Sequence, residues 1–183
     1  MRRIINHEPG RGERLLLAYP RSRPDACSQL LLTVSDDDGA TWSAPRAIAD
    51  SEFPSGFSPS SCSLMANADG VVGVQWIAID ATATSFHLCF AASLDGGATF
   101  SRPMQVSAAA SIVPGGRLPM PELKTGGQLP GQPRSTGQDQ LYGDVGADGV
   151  FHLVWTDARR GDPLGNDPGY AIVTRTATVT AAR

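Results

Sequence analysis

Apolar residues in this chain of 183 come in short runs separated by breaks rich in Gly, Pro, Asp and Ser. The clearest runs are Leu15–Tyr19, Gln29–Val34, Pro45–Ile48, Cys62–Asn67, Val71–Ile77, Phe86–Ala92 and Met104–Ser107. Leu141–Val145, Val150–Thr156 and Tyr170–Val179 follow. Some alternate apolar with polar positions, and others are continuously apolar. No long stretch sustains the three-to-four spacing of an amphipathic helix. Runs of this length between turn-forming breaks predict β-strands, so the expected fold class is all-β.

Two phrases repeat within this pattern. Ser35-Asp-Asp-Asp-Gly-Ala-Thr-Trp-Ser-Ala-Pro45 is matched by Ser93-Leu-Asp-Gly-Gly-Ala-Thr-Phe-Ser-Arg-Pro103. Ala68-Asp-Gly-Val-Val-Gly-Val-Gln-Trp76 is matched by Ala147-Asp-Gly-Val-Phe-His-Leu-Val-Trp155, and more loosely by the stretch ending at Tyr19. Tyr19 precedes Trp42 by 23 positions and Trp76 precedes Phe100 by 24, so both phrases belong to one unit. Repetition at such a period is the mark of a repeat architecture. The first phrase reads as a tight turn between strands. Gly39 and Gly97 supply positive φ, and Asp37 and Asp95 bond nearby backbone N–H groups. Thr41 and Thr99 satisfy further turn groups, while Trp42 and Phe100 open the return strand.

At Ser35, Asp37, Gly39, Thr41 and Trp42, and again at Ser93, Asp95, Gly97, Thr99 and Phe100, the chain resembles the Asp-box (BNR repeat) family of sialidases and related β-propellers. In that family the motif is a structural turn remote from the chemistry. The resemblance implies a propeller segment of about three four-stranded antiparallel blades, half of a six-bladed ring. As a single domain over 1–183, the blades fall at about 1–50, 57–107 and 139–183, with a long loop over 108–140. Each unit runs strand A, Asp-Gly turn, strand B, loop, strand C, repeated turn, strand D. Strand A of the first unit has no clear run, and the third unit has no copy of the repeated turn. A three-blade arc is expected to expose two apolar blade faces. Either the remaining propeller blades or a second copy of the chain then covers them.

Bulk properties narrow the function classes. The formal net charge is −3, which argues against a nucleic-acid partner. No apolar run approaches the roughly 18 residues of a membrane span. Cys27, Cys62 and Cys89 lack zinc spacing, and leave open three buried thiols or one disulfide with a free thiol. His7, His87 and His152 show no metal spacing. Asp162, Asn166 and Asp167 gather oxygen ligands in one Gly/Pro-rich loop, but their spacing matches no defined calcium loop, and no metal or cofactor is expected. Met1–Pro9 lacks the apolar core of a signal peptide. Asp-box proteins are commonly secreted or periplasmic, so either this one is cytoplasmic or its true start lies upstream.

Strand parity places the Asp-Gly turns and the repeated turns at one end of each blade. The segments 20–28, 49–61, 78–85, 108–140 and 157–169 lie at the other end, where irregular polar loops suit ligand binding. Sialidases use a tyrosine nucleophile, and Tyr142-Gly-Asp144 before the Asp-Gly turn resembles the segment that carries it. Tyr142 is therefore the catalytic candidate, with the alternative that it packs the central channel. Asp144, Asp157 and Arg159 are candidate contacts for a glycan or another polar ligand. Asp157 and Arg159 also stand close enough in sequence to pair with each other. The rest of the sialidase apparatus is missing. Ser58–Cys62 holds no assisting Glu, Trp76-Ile-Ala78 no Arg, and no Arg-Ile-Pro segment occurs. The expected function is a sialidase-like module that binds a glycan or polar ligand without an intact catalytic set. The alternative is the C-terminal half of an exo-sialidase.

Overall fold

The computed structural model describes residues 14–23, 26–48, 56–82, 84–112, 141–157 and 171–180. Among these residues there is no helix, and eleven strands form three antiparallel sheets. The first sheet pairs β1 (Leu15–Arg23), β2 (Ala26–Ser35) and β3 (Arg46–Ala47). The second runs β4 (Phe57–Ala66), β5 (Val72–Asp80), β6 (Ser85–Ser93) and β7 (Met104–Gln105), with β8 (Ser111–Ile112) also on β6. The third orders β11 (Ala171–Ala177), β10 (Phe151–Asp157) and β9 (Leu141–Val145).

Only the middle sheet reaches four strands among the described residues. The first lacks an inner strand equivalent to β4, and the third lacks an outer strand equivalent to β7. The inner strand expected for the first unit lies outside the described residues. The third unit holds no copy of the turn phrase that precedes β7 in the second.

Side-chain alternation builds two cores, one on each face of the middle sheet. Val72, Val74, Trp76 and Ala78 of β5 join Leu16, Leu30 and Leu32 of the first sheet. Ile77 of β5, with Phe86, Leu88 and Phe90 of β6, joins Phe151, Leu153 and Trp155 of the third. Each Val, Leu, Ile or Phe among them is worth about 1.5–3 kcal/mol on burial, and together these two seams hold the sheets in series. β4 packs against β1, β2 and β9 and so lies innermost.

The repeated turn folds the same way twice. Ser35 Oγ donates to Asp37 Oδ1 at 2.7 Å and accepts the Gly39 N–H at 2.8 Å. Asp37 also accepts the Thr41 N–H at 2.8 Å and the Thr41 hydroxyl at 2.6 Å. Ser93, Asp95, Gly97 and Thr99 repeat these four bonds at 2.6, 2.7, 2.7 and 2.6 Å. Gly39 and Gly97 sit at φ 89° and 90°, a region that side chains avoid. The Thr41 hydroxyl and N–H bonds, then Ser35, hold the Asp37 carboxyl down at about 2. Partial burial works to raise Asp95, but bonds from Ser93 and Thr99 outweigh it and hold it at about 2.

The second turn also joins sheets. Its Gly96 and Ala98 carbonyls accept bonds from Arg14 and Arg46 of the first sheet. Phe100 packs on the first core, whereas Trp42, its counterpart, stays half exposed.

Three local expectations change. The strands at the opposite end run further than their apolar cores suggested. β1 and β2 meet across residues 24–25, and β5 and β6 leave only 81–84 between them. Two segments expected as irregular loops, 20–28 and 78–85, are therefore taken up in large part by paired strand. Asp80 closes the second, accepting bonds from Thr82, Thr84 and Ser85 at 2.7–3.1 Å. Burial tends to raise its carboxyl, but the Ser85, Thr84 and Thr82 bonds hold it at about 2. β4 starts at Phe57 rather than near Cys62, and its register slips between Pro59 and Ser61. Proline cannot donate to the ladder, which makes a bulge its natural place.

Cys62 and Cys89 form no disulfide. Both pair in register with Trp76, one from each side, so a full strand separates them. Burial pushes Cys62 up to about 11 and Cys89 up to about 12. The Cys27 side chain lies outside the described residues.

Candidate functional site

The structure sorts the sequence candidates by exposure. Tyr142 lies on β9, the inner strand of the third sheet, with its side chain 57% exposed. Its neighbour explains the orientation. Gly143 is buried against the middle sheet, and a Cβ there would stand 2.7 Å from Gln75 Nε2. Only glycine admits that approach, so the side chains on either side of it point away from the seam. Gln75, fully buried on β5, donates from Nε2 to the Tyr142 carbonyl at 2.6 Å. The backbone that carries the tyrosine is thus fixed from the neighbouring sheet.

Asp144 shares the exposed face with Tyr142, two residues along β9. Its Oδ1 accepts the Val145 N–H at 2.9 Å. Directly opposite Asp144 on β10 is His152, also exposed, and opposite Tyr142 is Val154. The four side chains therefore form one patch, with an aromatic ring, a carboxylate and an imidazole presented to solvent.

Asp157 is placed differently from the sequence expectation. It is 3% exposed, on the inward face of β10, and Ser111 Oγ donates to its Oδ1 at 2.9 Å. Ser111 is itself buried, on β8. Asp157 thus ties β10 to β8 and the middle sheet. The alternation of the strand decides this. Asp157 continues the inward row of Phe151, Leu153 and Trp155. Arg159, the proposed partner of Asp157, and residues 162–167 fall outside the described residues, as does most of the 108–140 connection.

Other expectations are refined. His87 contacts Ser107 Oγ through Nδ1 at 3.1 Å and meets the Phe57 ring edge-on at 4.9 Å, a strand-face packing role. Among the described residues no group of His, Cys, Asp and Glu gathers to hold a metal ion. The sequence reading overlooked Gln75 and gave His152 no part in the site. Gln75 carried a signal, being one polar amide inside the apolar run Val72-Gly-Val-Gln-Trp-Ile77. His152 carried none, because its face depends on how the sheets stack.

Comparisons with known proteins fit this architecture. No family model and no curated protein matches the chain. Among solved structures, the Hadza microbial sialidase Hz136 superposes with a TM-score of 0.52 at 12% identity. The match covers 88% of this chain and 32% of that one, so the chain spans about a third of its length. At that identity the likeness concerns the fold alone, and the fold is that of a sialidase-like propeller segment.

Proposed function

We propose that this chain is an Asp-box propeller module that binds a glycan or another polar ligand at Tyr142 and Asp144. The single observation that carries this reading is the exposed Tyr142 ring, held on a backbone anchored by Gln75, with a carboxylate on the same face. A fixed, exposed aromatic gives a sugar face an apolar surface at low entropic cost, and the neighbouring carboxylate takes its hydroxyl protons. The two repeated turns serve as scaffold in this reading, since their polar groups are consumed by their own hydrogen bonds.

A second reading, hydrolysis with Tyr142 as nucleophile, is favoured by the sialidase-like fold. Against it, the stretches expected to bring the assisting Glu and Arg hold only Ser, Pro, Cys, Trp, Ile and Ala. Two assays separate the readings. Glycan-array binding followed by titration of the best hit is expected to show saturable binding. Tyr142→Ala should weaken it about tenfold, equivalent to about 1.4 kcal/mol. Hydrolysis of a fluorogenic sialoside is expected at background for the wild type. Turnover that disappears in Tyr142→Phe would establish the enzyme instead. An array with no hits, or binding unchanged by Tyr142→Ala, would remove the binding reading.

A further inference from the structure

The seam between the middle and third sheets is mostly apolar, yet it encloses polar side chains whose hydrogen-bonding capacity is unused. Ser63 Oγ, Gln75 Oε1 and Trp155 Nε1 are buried and have no hydrogen-bond partner among the described residues. Arg14 Nε is grouped with them by burial, but it lies 2.8 Å from Asp36 Oδ1 in an ion pair. The three remaining groups all belong to this one seam. Trp155 and Met65 pack in its core, and Gln75 reaches across it to Tyr142. Ser63 stands two residues from Met65 on the same face of β4. Ser63, Gln75 and Trp155 are 7%, 0% and 2% exposed.

Two of these groups are neighbours. Ser63 on β4 stands directly opposite Gln75 on β5, which places their Cβ atoms about 4.5–5.5 Å apart on one face. The far end of the Gln75 amide fixes its orientation. Nε2 donates to the Tyr142 carbonyl at 2.6 Å. Turning the amide over would set Oε1 against that carbonyl oxygen, acceptor against acceptor. Oε1 therefore requires a donor, and the Ser63 hydroxyl beside it does not bond to it. Buried amide oxygens and hydroxyls are costly to leave without partners. A water molecule offers two O–H donors and two lone pairs, which complement an amide oxygen and a hydroxyl that can donate or accept. Neither group is charged and neither is open to solvent, which suits one small neutral molecule rather than an ion.

We propose that this seam is a binding site for an internal water, which donates to Gln75 Oε1 and hydrogen-bonds Ser63 Oγ. Trp155 Nε1, two residues past the Leu153–Gly143 pair on the same seam, is an additional donor on which the site does not depend. The water completes a chain of hydrogen bonds from Ser63 through Gln75 to the Tyr142 carbonyl. The inner strands of two neighbouring sheets, β4 and β9, are thereby joined through polar groups inside an apolar seam, where low dielectric strengthens each bond. The site stands on interior contacts and not on ligand binding at Tyr142, so either idea survives failure of the other.

Oxygen-17 magnetic relaxation dispersion on the full chain counts waters that stay bound for longer than the protein takes to tumble. Ser63→Val removes the hydroxyl and fills its space with methyl groups, and Gln75→Met removes the amide oxygen. Each variant is expected to hold one long-lived water fewer than wild type. An unchanged count in either would overturn the proposal. Urea unfolding of Ser63→Ala, Gln75→Met and the double variant gives a second reading that does not depend on the bulkier valine. Both substitutions remove a bond to the same water. The double variant should therefore be less destabilised than the sum of the singles, by about fivefold in the unfolding equilibrium constant. Additive effects would overturn the proposal, because they would show that the two groups share no partner. Coupling without loss of a long-lived water would overturn it too, by showing that Ser63 and Gln75 bond directly.

Discussion

Replacing Gly73 with alanine should destabilise the protein, although alanine normally suits a strand better than glycine does. Gly73 lies inside β5 with no positive φ, so its backbone would accept a side chain. The obstacle is space. A Cβ would stand 2.7 Å and 2.8 Å from two Phe151 ring carbons and 2.9 Å from a Phe90 ring carbon. Both rings are buried, with centroids 5.7 Å apart, so neither can swing into solvent. Overpacking of this kind costs about 1–3 kcal/mol, offset by about 0.5–1 kcal/mol from replacing glycine in a strand. The net loss is about 1–2 kcal/mol, or a Tm lower by about 2–8 °C for a chain of this size. Thermal unfolding followed by near-ultraviolet circular dichroism would measure it. The same substitution in a Phe151→Leu background tests the cause, because the smaller side chain vacates the contested space. There Gly73→Ala should cost clearly less than in the wild type, because only the Phe90 contact remains, a coupling of about 1 kcal/mol. A neutral or stabilising Gly73→Ala in the wild-type background, with an additive double variant, would refute the packing argument.

The second repeated turn should matter more than the first. Asp95→Ala is expected to cost about 1–2 kcal/mol in urea unfolding, since its turn also docks on Leu16, Arg14 and Arg46. Asp37→Ala should cost less, and a reversed order would contradict the joining role. Acid should weaken the fold in a defined window. Asp37, Asp80 and Asp95 titrate at about 2 in the folded chain against an ordinary value of 3.8. Their contribution is present above that ordinary value and is lost as pH falls from about 4 to about 2. A Tm that stays constant between pH 4 and pH 2.5 would show that these bonds contribute nothing. Cys62 and Cys89 should resist thiol reagents in the native protein at pH 8, because burial keeps both protonated. Rapid labelling of either, mapped by peptide mass, would contradict their placement.

Much of the scaffold was legible in the residues themselves. The Ser-x-Asp-x-Gly-Ala-Thr phrase specifies its turn because every bond in it lies within six residues. Asp80 shows the limit of that legibility. Its partners Thr82, Thr84 and Ser85 are equally local, yet they occur in no repeated phrase, and the segment read as an open loop. The extent of β4 escaped as well, because Ser58-Pro-Ser-Ser looks like a break until β5 supplies a partner ladder.

The candidate site was legible only in part. Tyr142 and Asp144 stood out by resemblance, and the structure gives both to solvent. Asp157 stood out as a candidate ligand contact too, and the structure turns it inward to Ser111. Both sit on strands with the same two-residue period, so sequence tells which side chains share a face but not which face meets a neighbour. The sequence by itself determined the strands, their turns and the alternation along each, because these depend on contacts a few residues apart. Only the tertiary structure decided which row of each strand is covered. That depends on whether another sheet lies against it, and for the third sheet the row with Tyr142, Asp144, His152 and Thr174 is the exposed one among the described residues.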